Sequence, residues 1–128
     1  MNITNILYVT MMSLVFCFGT CAQEVINTGN FDNKIAKDIV AVEFWASWNK
    51  ANEFTDLNKL KDTSVYRVDI MHCTKLQTEY GITAVPTVII FDNGIEKERF
   101  NANIMFQLEA DKKTIQKSID TLILNKFQ

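Results

Sequence analysis

Apolar residues follow two rhythms along this chain. Residues 39–44 form a near-continuous apolar run broken only by Glu43, the pattern of a strand covered on both faces. Thr87, Val88, Ile89, Ile90 and Phe91 are β-branched or aromatic throughout, which predicts a second central strand. Residues 65–70 alternate in the manner of a strand, and residues 24–27 predict a short first one. Helical spacing takes over between these runs. Phe31 and Ile35 stand four apart within 31–37, and Phe54, Leu57 and Leu60 recur through 50–61. Leu76 and Tyr80 mark a short helix over 74–80, closed by Gly81 as a C-terminal stop. Ile115, Ile119, Leu122 and Ile123 give residues 112–126 an apolar face. Asp92-Asn93-Gly94 predicts a hairpin turn, and the strand after it is expected to start near Ile95 and extend through Phe106 and Leu108. The order β-α-β-α-β-α-β-β-α predicts an α/β fold with a mixed β-sheet flanked by helices.

The first 22 residues stand apart from this pattern. They contain no Asp, Glu, Lys or Arg, and residues 6–18 are an apolar run followed by Gly19, Thr20 and Ala22. An apolar core ending in small residues predicts a secretory signal cleaved after Ala22. Residues 23–128 are then the single domain, exported to a periplasm or to the extracellular space. No Lys or Arg precedes the apolar run, which departs from the usual signal. The competing reading is an uncleaved anchor, since a spanning helix needs ~20 apolar residues. A third is lipidation at Cys21, for which residues 18–21 are a poor match to a bacterial lipoprotein box.

Charge and cysteine count narrow the function classes. The net charge is −2, and every charged residue lies beyond Ala22. That balance argues against nucleic acid, which needs a basic face to neutralise phosphates. A membrane enters only if residues 1–22 are retained. Past the proposed cleavage point Cys73 is the one cysteine, so the domain is expected to fold on its apolar core without a disulfide. No cofactor or metal is implied, and the sequence assigns no oligomeric state.

The segment Val42-Glu43-Phe44-Trp45-Ala46-Ser47-Trp48 runs an apolar strand into a Trp-x-x-Trp turn. Val68-Asp69 ends a later strand, and a short helix then closes at Tyr80-Gly81-Ile82. Ala84-Val85-Pro86-Thr87 and Phe91-Asp92-Asn93-Gly94 follow. These four pieces, in this order across residues 39–123, resemble the thioredoxin family. In that family the second tryptophan is followed by Cys-x-x-Cys, so the resemblance places Asn49 and Asn52 at the two cysteine positions. An amide has no thiolate form, and the thiolate is the species that attacks a disulfide. The resemblance also implies a cis peptide bond before Pro86, an inward Trp45 and an exposed Trp48. Glu43 matches a buried carboxylate whose frequent lysine partner is replaced by Val65; a lone buried Glu would have a raised pKa, and a hydrogen-bonded or partly hydrated acid kept with the fold is the expected reading.

Two residues have simple structural readings. Asn49 suits the N-cap of the helix after the Trp turn. Cys73 falls in the loop or first helical turn beside His72, the single histidine. Neighbours on a strand or helix point apart, which leaves a metal or Cys–His catalytic pair without support. The function these features suggest is that of an exported thioredoxin-like protein that binds a protein or peptide and is not an enzyme. The expected peptide-binding residues are Trp48, Asn49, Val85 and Pro86, whose family counterparts pair with a substrate segment as an added strand. The alternatives are a monothiol redox protein acting through Cys73, and a structural subunit that docks through residues 101–108.

Overall fold

The computed structural model describes residues 24–128; the proposed signal, anchor and lipidation site all lie outside them. Five strands form one sheet: β1 (Glu24–Ile26), β2 (Ile39–Trp45), β3 (Ser64–Asp69), β4 (Thr87–Asp92) and β5 (Ile95–Phe100). Their spatial order is β1-β3-β2-β4-β5. β3 runs parallel to β1 and β2, whereas β4 is antiparallel to both β2 and β5. The helices are α1 (Phe31–Ile35), α2 (Thr74–Glu79) and α3 (Lys112–Asn125). This is the mixed sheet flanked by helices that the order of apolar patterns predicts.

Period-two alternation in the central strands divides the core into two layers. Val40, Val42 and Phe44 of β2 join Ile89 and Phe91 of β4 on one face, under α1 and α2. Phe31 sits at the centre of that layer, fully buried, with ring centroids 6.0 Å from Phe44, 5.2 Å from Tyr80 and 5.8 Å from Phe91. Ile39, Ala41, Val88 and Ile90 face the other way and meet Ile115 and Ile119 of α3. Glu43 has the same parity as Ile39 and Ala41, so the strand itself delivers a carboxylate into the second layer.

Local chemistry fixes the turns. Asn93 and Gly94 have φ of 50° and 82°, the left-handed pair that joins β4 tightly to β5. After α2 the Gly81 N–H donates to the Thr78 carbonyl and the Ile82 N–H to the Gln77 carbonyl. With Gly81 at φ 60°, this is a Schellman stop, and it aims the next residues toward Val85. α3 begins at Asp111, whose carboxylate accepts the Thr114 N–H at 2.8 Å.

Two expected elements differ. Residues 50–61 are not an α-helix; the chain forms 3-10 segments at Ser47–Asn52 and Leu57–Lys59. Phe54, Leu57 and Leu60 are buried as their spacing predicts. However, the Phe54 N–H, which an α-helix would direct to Lys50, donates to the Glu43 carboxylate at 2.8 Å. The last strand also stops at Phe100 and does not reach Leu108. Asn103 turns the chain back, its side-chain oxygen accepting from the Met105 and Gln107 N–H groups, and one isolated bridge joins Ala102 to Leu108.

Because Phe31 is enclosed by three other rings, Phe31→Ala should destabilise the domain by roughly 3–5 kcal/mol. Leu124→Ala, at a side chain 64% exposed, should change stability by less than about 0.5 kcal/mol. Urea unfolding of both variants checks the contrast.

Candidate functional site

β2 carries the chain to Trp45, and the 3-10 segment Ser47–Asn52 then brings Trp48 and Asn49 over the end of the sheet. Trp48 is 57% exposed and Asn49 only 9%. The Asn49 amide nitrogen donates to the Val85 carbonyl and to the Phe106 carbonyl, each at 3.0 Å. Its oxygen accepts from the Asn52 amide at 2.8 Å. Both donors of Asn49 are therefore spent on backbone carbonyls 36 and 57 residues away, which explains how a polar side chain is tolerated there. The N-cap expectation for Asn49 is corrected: Ala46 holds that position, and Asn49 lies inside the segment at φ −111° and ψ 26°.

The Val85–Pro86 peptide bond is cis. The Thr87 hydroxyl donates to the Ala84 carbonyl at 2.7 Å and braces the loop. Val85 and Pro86 are both buried, so backbone is the main thing they offer a partner. Trp48 meets Phe106 edge to face, ring centroids 5.3 Å apart. A cavity of about 100 Å³ lies between them, walled also by Ile82, Thr83 and Val85. The structure thus places Trp48 and Val85 on one small apolar cavity, while Asn49 is tied to the Val85 carbonyl and Pro86 is next in the chain.

Glu43 is buried and hydrogen-bonded, and the cation beside it comes from a residue other than the family's lysine position. Arg67, its register partner on β3, reaches one carboxylate oxygen with Nε at 3.1 Å and Nη2 at 3.0 Å. Phe54 N–H holds the other oxygen. Arg67 also lies 3.5 Å from Glu53 and 5.4 Å from the Trp45 ring centroid. Burial pushes the Glu43 carboxyl above its ordinary pKa, opposed by the Phe54 N–H and by Arg67. Trp45 is half-buried rather than wholly inside, and its indole N–H is enclosed without a partner among the described residues.

Cys73 is buried, a free thiol at the N-cap position of α2. His72 beside it is exposed and sits 3.7 Å from Asp69. Among the described residues no group of three or more His, Cys, Asp or Glu converges. Two residues of the site escape the sequence reading, Arg67 and Phe106. Arg67 was signalled by the β3 alternation, which puts Val65, Arg67 and Asp69 on one face. Phe106 was signalled by the turn-forming Asn101 and Asn103 just before an apolar tip.

A sequence model described as thioredoxin matches residues 22–120. A thioredoxin of Mycoplasma genitalium is 33% identical over 70 residues, which span 50% of this chain and 69% of that protein. A thioredoxin of Chlamydia trachomatis is 28% identical over 82 residues, 59% of this chain and 80% of that protein. Among solved structures, the thioredoxin of Malassezia sympodialis superposes with a TM-score of 0.62 at 24% identity, covering 78% of this chain and 90% of that one.

The buried Glu43 generates a pH prediction. A folded pKa above the unfolded one means that the folded state holds the proton more tightly. The resulting stability is complete below the unfolded pKa and is lost as pH rises through the folded pKa. Relative to Glu43→Gln, the natural protein should therefore lose stability as pH is raised from about 4 to about 8, measured by urea midpoints. A difference that rises with pH would show that Arg67 outweighs burial. Arg67→Met leaves a buried carboxylate without its cation and should cost roughly 3 kcal/mol at neutral pH.

Proposed function

This chain belongs to the thioredoxin family, and from that premise we propose that it is an exported member that binds a protein or peptide segment without exchanging disulfides. Asn49 and Asn52 stand, in this reading, where the family's dithiol stands. The observation that carries it is the bond from the Asn52 amide to Asn49 at 2.8 Å, continued to the Val85 and Phe106 carbonyls. Two amides tied to each other and to backbone form a neutral network in which both Asn49 donors are used. It has no group that ionises to a nucleophile near neutral pH and none free to accept electrons.

Cys73 supports the same reading. Only 4% of it is exposed, and attack on a partner disulfide needs a thiolate within reach of that partner. What remains of thioredoxin behaviour is recognition. Trp48 offers a large exposed ring beside a small apolar cavity, a combination suited to anchoring one side chain of an extended segment. Removal of residues 1–22 on export would leave the domain intact, since β1 starts at Glu24.

Insulin reduction by dithiothreitol should run at the no-protein rate in the presence of the domain, and Cys73→Ser should leave that result unchanged. Acceleration that persists in Cys73→Ser would overturn the proposal. For a bound partner, Trp48→Ala should weaken affinity by about 2 kcal/mol in titration calorimetry. Loss of binding at Cys73→Ser instead would establish the monothiol alternative.

A further inference from the structure

The hairpin of residues 101–110 touches the centre of the candidate site, though the reading above gives it no task. It is held together locally: the Asn103 N–H donates to the Gln107 carbonyl at 2.8 Å, and the Asn103 side chain gathers the Met105 and Gln107 N–H groups. The tip carries apolar side chains outward, with Ile104 97% and Met105 68% exposed. Phe106 alone turns back. Its φ of 58° is a left-handed value that a side chain with a Cβ disfavours, so surrounding contacts must hold it there. Those contacts are its own N–H bond to the Asn103 carbonyl at 3.0 Å, the Trp48 ring and the Asn49 amide.

Asn49 links this hairpin to the Val85 backbone through one nitrogen. The Val85 carbonyl accepts from Asn49 and keeps a second lone pair that an added strand can use. The carbonyl of Phe106 completes the same bridge, so the hairpin backbone lies alongside the segment a partner would pair with. Phe106, 43% exposed, also lines the cavity beside Trp48. We propose that the 101–110 hairpin is a lid on the groove, fastened by Asn49 and lifted when an extended peptide pairs with the Val85 backbone. For its occupant this rests on the peptide-binding reading; for the lid it rests on geometry alone. A binding-competent state populated only in part lowers apparent affinity by that fraction, so the lid sets which segments bind strongly enough to open it. Lifting it exchanges the bond from Asn49 to the Phe106 carbonyl for a bond to the peptide.

The test uses the whole domain and two variants. Asn49→Ala removes the fastening. Asn103→Ala loosens the hairpin while leaving Trp48, Asn49 and Val85 in place. Hydrogen exchange at the Met105, Phe106 and Gln107 amides should be faster by about tenfold in Asn49→Ala than in the natural chain, with β4 amides unchanged. Random displayed peptides of roughly a dozen residues are selected on Asn103→Ala, and the selected peptide should bind that variant about tenfold more tightly than the natural chain. Equal affinity for both overturns the lid, and tighter binding to the natural chain makes the hairpin part of the binding surface instead. If no peptide is enriched on either, the peptide-binding reading fails and exchange alone judges the hairpin. Unchanged exchange in Asn49→Ala then overturns the lid, and faster exchange confined to the hairpin supports it.

Discussion

A buried carboxylate organises this molecule. Glu43 stands near the middle of β2, fully enclosed, and adds side-chain bonds from β2 to its sheet neighbour β3 and to the chain beyond the Trp turn. One oxygen takes the Arg67 guanidinium from β3, and the other takes the Phe54 N–H from the chain beyond the Trp turn. A group this deep is costly unless both oxygens are satisfied, so β3 and the turn must each adopt the one arrangement that satisfies it. The path after Asn52 follows from this. Holding Phe54 N–H at Glu43 prevents a continuous α-helix, shortens the segment to 3-10 turns and places Trp48 and Asn49 where they meet Val85.

Asn49 extends the same logic outward. Glu43 binds the turn to the sheet, and Asn49 binds it to the Val85 loop and to the hairpin after β5. Each polar group is buried beside apolar neighbours; Glu43 is satisfied by one backbone N–H and one guanidinium, and Asn49 by two backbone carbonyls and the Asn52 amide. The Schellman stop at Gly81 and the Thr87–Ala84 bond set the position of the Val85 carbonyl that Asn49 requires. The candidate site is therefore an assembly of three loops, each positioned by bonds that the apolar core does not supply.

That division explains what was legible in the sequence. The central strands, α3 and the Asn93-Gly94 turn could be read because burial by period and left-handed turn chemistry are local properties. Pro86 was legible through its motif. The 50–61 segment misled because Phe54, Leu57 and Leu60 are spaced for a helix, and periodicity records burial rather than hydrogen bonding. What broke the helix was Glu43, 11 residues earlier in the chain. The role of Asn49 was hidden for the same reason: a capping residue and a buried clamp carry the same side chain, and only the distant carbonyls distinguish them. The run after Ile95 looked extended on its apolar content, whereas a single Asn103 side chain was enough to reverse it.

The sheet's two margins carry a separate consequence for behaviour at high concentration. On one side β5 lines its outer rim with Glu96, Lys97, Glu98 and Arg99, and its register with β4 slips between Ile90 and Phe91. On the other side β1 spans three of the described residues. Alternating charge and an irregular ladder are features that deny a template to a neighbouring copy. Fibril-like stacking through the sheet is thereby disfavoured, even though the central strands are apolar enough to support it if they were exposed.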